Sequence, residues 1–200
     1  MTTSSRTLAF FGDSITDAGR RQDPDGLGNG YVRLLAEQLT DATVINAGIG
    51  GNRAVDLQAR LDADVLTDQP DLVSIMIGIN DTWRRFDSDD PTSTEAYEAS
   101  YRDLLERITA AGAGLILLEP FVLPVTEAQA TEWREDLQPR IDVVHRLGGE
   151  FSAPVVPLDA ELNKLADEVG AAALAGDGVH PTDRGHAEIA RLWLEVQQAG

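Results

Sequence analysis

The run Leu72-Val73-Ser74-Ile75-Met76-Ile77 constrains the fold of this chain more than any other feature. A strand with one wet face alternates polar and apolar residues. This run is almost continuously apolar, as in a sheet covered on both faces. Shorter runs at Thr7–Phe11, Thr43–Asn46, Leu115–Leu118 and Pro154–Pro157 predict four further strands. Between them lie segments of helical spacing: Tyr31–Leu39 (Val32, Leu35 and Leu39 on one face), Asp56–Leu66, Thr94–Ala111 and Glu127–Leu147. Ala160–Val169 and Asp183–Val196 are two more. Strands that alternate with helices form βαβ units, hence a parallel sheet with helices on both faces. The expected fold is therefore α/β, a three-layer α/β/α sandwich with a five-stranded parallel sheet. No internal repeat or long linker divides residues 1–200, so one domain is expected.

Ligands of such sheets bind in the crevice beyond the carboxyl ends of the strands. The polar motifs fall there. Gly12-Asp13-Ser14 follows the first strand, Asn46-Ala47-Gly48-Ile49-Gly50-Gly51-Asn52 the second, and Gly78-Ile79-Asn80-Asp81 the third. That coincidence locates the functional edge.

A serine on a strand-end turn and a distant Asp/His pair are the raw material of a nucleophilic hydrolase. Ser14 needs a base to take its proton, and the base needs a carboxylate to fix its tautomer. Asp177-Gly178-Val179-His180-Pro181 supplies both partners within one short turn. The chain holds three histidines, and His145 and His186 lie inside predicted helices, where structural or exposed roles fit better. Acyl transfer also needs donors for the oxyanion. The backbone N–H of Gly51 and the side-chain amide of Asn80 are the candidates. Trp83 and Arg84 follow Asn80 and are expected at the mouth of the site, Trp83 stacking on a sugar face. Asp13 and Arg53 complete the residues expected to contact substrate. Each residue alone also fits a plainer role, such as a turn, a helix cap or a surface ion pair.

Composition narrows the partners. Sixteen Lys+Arg against 34 Asp+Glu give a net charge of −18. That balance opposes DNA, RNA and anionic membranes, each of which needs a basic patch. With no cysteine, the chain can form neither disulfides nor Cys-ligated zinc and has no thiolate nucleophile. The apolar stretch near the start, Leu8–Phe11, is too short for a signal-peptide core, and a cytoplasmic setting is expected.

Taken in order, the blocks Gly-Asp-Ser-Ile-Thr, Gly-Ile-Gly-Gly-Asn, Gly-Ile-Asn-Asp and Asp-Gly-Val-His-Pro resemble the SGNH hydrolases, the GDSL esterase family, over essentially the full length. The resemblance implies a flavodoxin-like SGNH hydrolase fold, with Ser14 as nucleophile and Asp177 and His180 completing the triad. It also implies an oxyanion hole made by the Ser14 N–H, Gly51 and Asn80, with Gly48 as a second candidate for the loop glycine. The run from Gly12 to Arg20, then Leu27–Val32 and Ser74–Arg84, is similar to intracellular acetylxylan esterases of that family. The implied activity is removal of O-acetyl groups from xylo-oligosaccharide-like substrates, with no cofactor or metal. Gly176 departs from the pattern, since an aromatic residue is expected before the catalytic Asp, and its absence widens the rim. Self-association is compatible with the group, and no residue fixes a stoichiometry.

Three other readings fit less well. A dinucleotide site requires G-x-G-x-x-G, and from Gly48 the third glycine falls at Arg53. A zinc hydrolase lacks H-E-x-x-H. A non-catalytic sugar-binding domain has no need of Ser14 or His180. Within the family, a thioesterase or lysophospholipase is the main alternative to a deacetylase.

Overall fold

The computed structural model describes residues 5–199. Five parallel strands, β1 (Arg6–Gly12), β2 (Ala42–Gly48), β3 (Leu72–Met76), β4 (Gly114–Leu118) and β5 (Val155–Val156), lie in the order β2-β1-β3-β4-β5. The register aligns Gly12 with Gly48 on one side and with Met76 on the other, and Met76 with Leu118. Leu118 is in turn aligned with Val156, so all five strands stop along one line. Chain connectivity runs one way from β1 to β2 and the other way to β3, which opens a crevice at that switch point.

The alternation of side chains along each strand builds two cores. Leu8, Phe10, Met76 and Leu118 face α2 (Tyr31–Gln38), α7 (Leu158–Val169) and α9 (Asp183–Ala199). Ala9, Phe11, Val73, Ile75 and Leu117 face α3 (Ala54–Asp64), α5 (Thr94–Ala110) and α6 (Arg134–Phe151). Ser74, the polar residue of the apolar run, accepts a hydrogen bond from Trp193 Nε1–H at 2.9 Å, so its burial leaves no orphaned donor on the indole.

Helices occur where helical spacing predicts them, with ends shifted by a few residues. Three short helices go beyond that reading: α1 (Ser14–Asp17), α4 (Ile79–Asp87) and α8 (Ala171–Leu174). The sequence places Gly78–Asp81 in a strand-end loop, whereas the chain enters α4 directly after Gly78, whose φ of 134° makes the bend. The long helix predicted from Glu127 is also interrupted. A π-helical turn, Gln129–Trp133, precedes α6. Among the described residues no helix is long and apolar enough to cross a membrane.

Candidate active site

β1 delivers Ser14 to the crevice. Asp13 caps α1, its Oδ1 accepting the Ile15 N–H at 3.0 Å, so Ser14 opens the helix with its own N–H outside any intrahelical bond. Asp13 itself is 1% exposed. Its carboxyl lies beneath the serine turn, away from solvent, and burial raises its pKa to about 7.

Asn46 fastens the serine turn to the glycine loop. Its amide donates to the carbonyls of Thr16 (2.7 Å) and Leu27 (2.8 Å), and its Oδ1 accepts the Gly48 N–H at 2.9 Å. The Gly48 donor is thus already used within the protein. Gly50 N–H donates to Asp17 Oδ2 at 3.2 Å. Gly51 sits at φ 82°, and among the described residues its N–H has no acceptor.

Asn80 occupies the first turn of α4. Its Nδ2 donates to the Asn52 carbonyl at 3.0 Å and lies 3.4 Å from Asp13 Oδ2. Next to it, Asp81 Oδ2 accepts the Ala54 N–H at the start of α3 at 3.2 Å. Burial pushes the Asp81 carboxyl up to about 6, against the opposing pull of that N–H and of Arg140 and Arg53.

His180 brings the third segment. Its Nε2 is 3.0 Å from Ser14 Oγ, and its Nδ1 is 2.6 Å from Asp177 Oδ2. Asp177 Oδ1 accepts the N–H groups of Val179 (2.9 Å) and His180 (2.7 Å). Partial burial acts to raise the Asp177 pKa, but the imidazole and these two N–H groups outweigh it and hold the carboxyl below its ordinary value. The loop bends at Gly178, φ 85°, where a Cβ would stand 2.7 Å from the Leu123 carbonyl. A side chain is excluded there by both conformation and space. No atom lies within 4 Å of a Cβ built on Gly176, which leaves the rim open at that point.

The remaining expected residues divide. The Trp83 ring lies 5.8 Å from the His180 ring, at the mouth. Arg84 pairs with Asp87 three residues on, and a Cβ built on Gly51 would lie 3.6 Å from its Nη2. Arg53 is held by Asp90. His145 meets the buried Glu119, and His186 is buried with Nδ1 accepting the Tyr31 N–H at 3.2 Å.

Two supporting residues escape the sequence reading. Arg60 of α3 donates to the carbonyls of Gly12 (3.0 Å) and Ala47 (2.8 Å) and to Asn52 Oδ1 (2.7 Å), bracing two strand ends and the glycine loop. Gln129, in the π-helical turn, donates to the Asp177 carbonyl at 2.7 Å and accepts the Val125 N–H at 2.9 Å. Both act across long sequence separations, and neither has a local motif.

Residues 10–188 match the GDSL-like Lipase/Acylhydrolase family, and the chain belongs to that family. It is a carboxylic ester hydrolase by that membership and by its relatives. It is 37% identical to the acetylxylan esterase of Geobacillus stearothermophilus, covering 96% of this chain and 93% of that one. It is 29% identical to thioesterase 1/protease 1/lysophospholipase L1 of Escherichia coli K12, covering 96% and 82%. Among solved structures, a catalytic mutant of the Geobacillus acetylxylan esterase Axe2 superposes with TM-score 0.89 at 34% identity, covering 98% of this chain and 96% of that one. The catalytic mutants solved for Axe2 replace a histidine, an aspartate and a serine with alanine. LAE5, an alpha/beta hydrolase enzyme from the metagenome of Lake Arreo, superposes with TM-score 0.89 at 31% identity, covering 97% and 95%.

Proposed function

We propose that the chain is a serine esterase that removes O-acetyl groups from xylo-oligosaccharide-like carbohydrates through an acetyl-enzyme. The observation that carries this reading is the continuous contact from Ser14 Oγ to His180 Nε2 (3.0 Å) and from His180 Nδ1 to Asp177 Oδ2 (2.6 Å). Asp177, an acceptor, keeps a proton on Nδ1, which leaves the Nε2 lone pair to take the serine proton. Ser14 attacks the acetyl carbonyl. The oxyanion is met by the N–H of Ser14, the N–H of Gly51 and the Asn80 amide, whose contact to Asp13 at 3.4 Å is long enough to yield to a charged acceptor. His180 then protonates the departing sugar oxygen and activates water to release acetate. All 200 residues are assigned to this one domain.

A short acyl group is favoured by the cleft at the nucleophile. It is an open cleft of about 330 Å³ lined by Ser14, Asp17, Ala18, Gly19, Arg21, Gln22 and Gly50, mostly small or polar residues that give an acyl chain little apolar surface. The likeness to a thioesterase/lysophospholipase keeps long-chain acyl hydrolysis as the second reading. Mass spectrometry on acetylated xylo-oligosaccharides tests the proposal. Successive acetyl losses with wild-type protein, abolished in Ser14→Ala, are expected. A preference for acyl chains beyond about eight carbons, a length that would need an apolar tunnel to bury it, overturns it in favour of the second reading.

A further inference from the structure

We infer that the aromatic cleft beside His180 is the subsite for the leaving alcohol and that it takes a neutral pyranose ring of an oligosaccharide. The inference rests on the acetyl-carbohydrate reading and extends it to the part of the substrate that departs. His180 Nε2, the atom facing Ser14 Oγ, must return its proton to the leaving oxygen, so the alcohol leaves on the imidazole side. The ring bordering the imidazole is Trp83, at 5.8 Å between centroids. Beyond Trp83 opens a second cleft, of about 440 Å³, separate from the one at the serine.

Its walls have a specific chemistry. Trp133 packs against Trp83 (5.3 Å) and stacks on Phe86 (5.5 Å, 11° between planes). These rings are packed on one another, so they offer a shelf rather than the enclosing cage that a quaternary ammonium prefers. A shelf suits the C–H faces of a pyranose. Glu132 is exposed at the rim, and among the described residues it has no ion-pair partner, so it is available to accept sugar hydroxyl protons. Asp87, also at the rim, is held by Arg84. With a net charge of −18, the surroundings repel a phosphate-bearing acyl carrier.

The cleft is also tied to the catalytic loop. Gln129 and Trp133 bracket the π-helical turn, and Gln129 holds the Asp177 carbonyl while the buried Trp133 backs the half-buried rings of Trp83 and Phe86 that form the shelf. π-turns of this kind recur at functional sites.

The test compares kcat/KM for acetylated xylotriose with that for ethyl acetate, whose alcohol ends short of the cleft. The ratio does not depend on how much protein is folded. In Phe86→Ala and in Glu132→Lys the ratio is expected to fall at least about fivefold relative to wild type, and a smaller fall in both overturns the inference. Wild-type protein that hydrolyses ethyl acetate but not the acetylated sugar overturns the carbohydrate reading itself. Acetate release from the sugar with an unmoved ratio overturns the cleft assignment alone. A binding arm needs no turnover: unacetylated xylotriose titrated into Ser14→Ala is expected to change tryptophan emission saturably, and to do so less in Glu132→Lys/Ser14→Ala. Choline chloride producing that change in place of xylotriose overturns the sugar assignment.

Discussion

Asn80 Nδ2 donates to the Asn52 carbonyl across 3.0 Å and so joins the helix after the central strand to the glycine loop after the edge strand. Asp81 repeats the link one residue on, through the Ala54 N–H. The two segments proposed to hold the oxyanion are therefore tied to each other at two points. Preorganisation of this kind is what makes an oxyanion hole effective.

Asn80→Ala removes one donor and the tie to Asn52 together. A loss of kcat of about 10²–10³ is expected, with KM changing far less. Steady-state kinetics on p-nitrophenyl acetate measure it. A loss confined to KM would remove Asn80 from the oxyanion hole.

Asp177→Asn preserves shape but offers the imidazole a donor or a weaker acceptor, which disturbs the tautomer. The expected fall in kcat is about 10⁴, the scale seen when a triad carboxylate is neutralised. Near-wild-type turnover would show that Asp177 only shapes its loop.

Gln129→Met keeps the volume of the side chain and deletes both of its hydrogen bonds. The Asp177 carbonyl and the Val125 N–H lose their partner, costing about 1–3 kcal/mol of stability. Turnover measured well below the melting transition is expected to fall about 10- to 100-fold, because the triad loop loses its support. Unchanged turnover in folded protein would assign Gln129 to stability alone.

His186 makes folding sensitive to acid. Burial, the main cause, lowers its pKa to about 4 from an ordinary 6.5, and Nδ1 is committed as the acceptor for Tyr31 N–H. Between those values the unfolded chain binds the proton and the folded one does not, so stability rises with pH across this window and is lost as pH falls from about 6.5 towards 4. The full contribution is on the order of 3 kcal/mol at about 1.36 kcal/mol per unit. In His186→Gln this loss is expected to shrink, as read from urea unfolding at pH 7 and pH 4.5. An unchanged difference between the two pH values would show that another group carries it.

The sequence announced the sheet and the strand-end chemistry because both are local. Short apolar runs between helical segments define strands, and Gly-Asp-Ser and Asp-Gly-Val-His each keep their polar atoms within a single turn. α4 was hidden for a local reason. It begins after Gly78 with no side-chain cap, so Gly-Ile-Asn-Asp reads as a turn. Arg60 and Gln129 were invisible for the opposite reason, since their contacts span 48 residues and depend on how separate segments pack. The inward turn of Asp13 was hidden because a motif cannot say which of two adjacent polar side chains points inward.

The most direct test is covalent labelling of the nucleophile. Diisopropyl fluorophosphate is expected to inactivate the enzyme in proportion to a single adduct on the tryptic peptide Thr7–Arg20, whose only serine is Ser14. Protein fully inactivated with the adduct on another peptide, or fully labelled at Ser14 yet still active, would contradict the account.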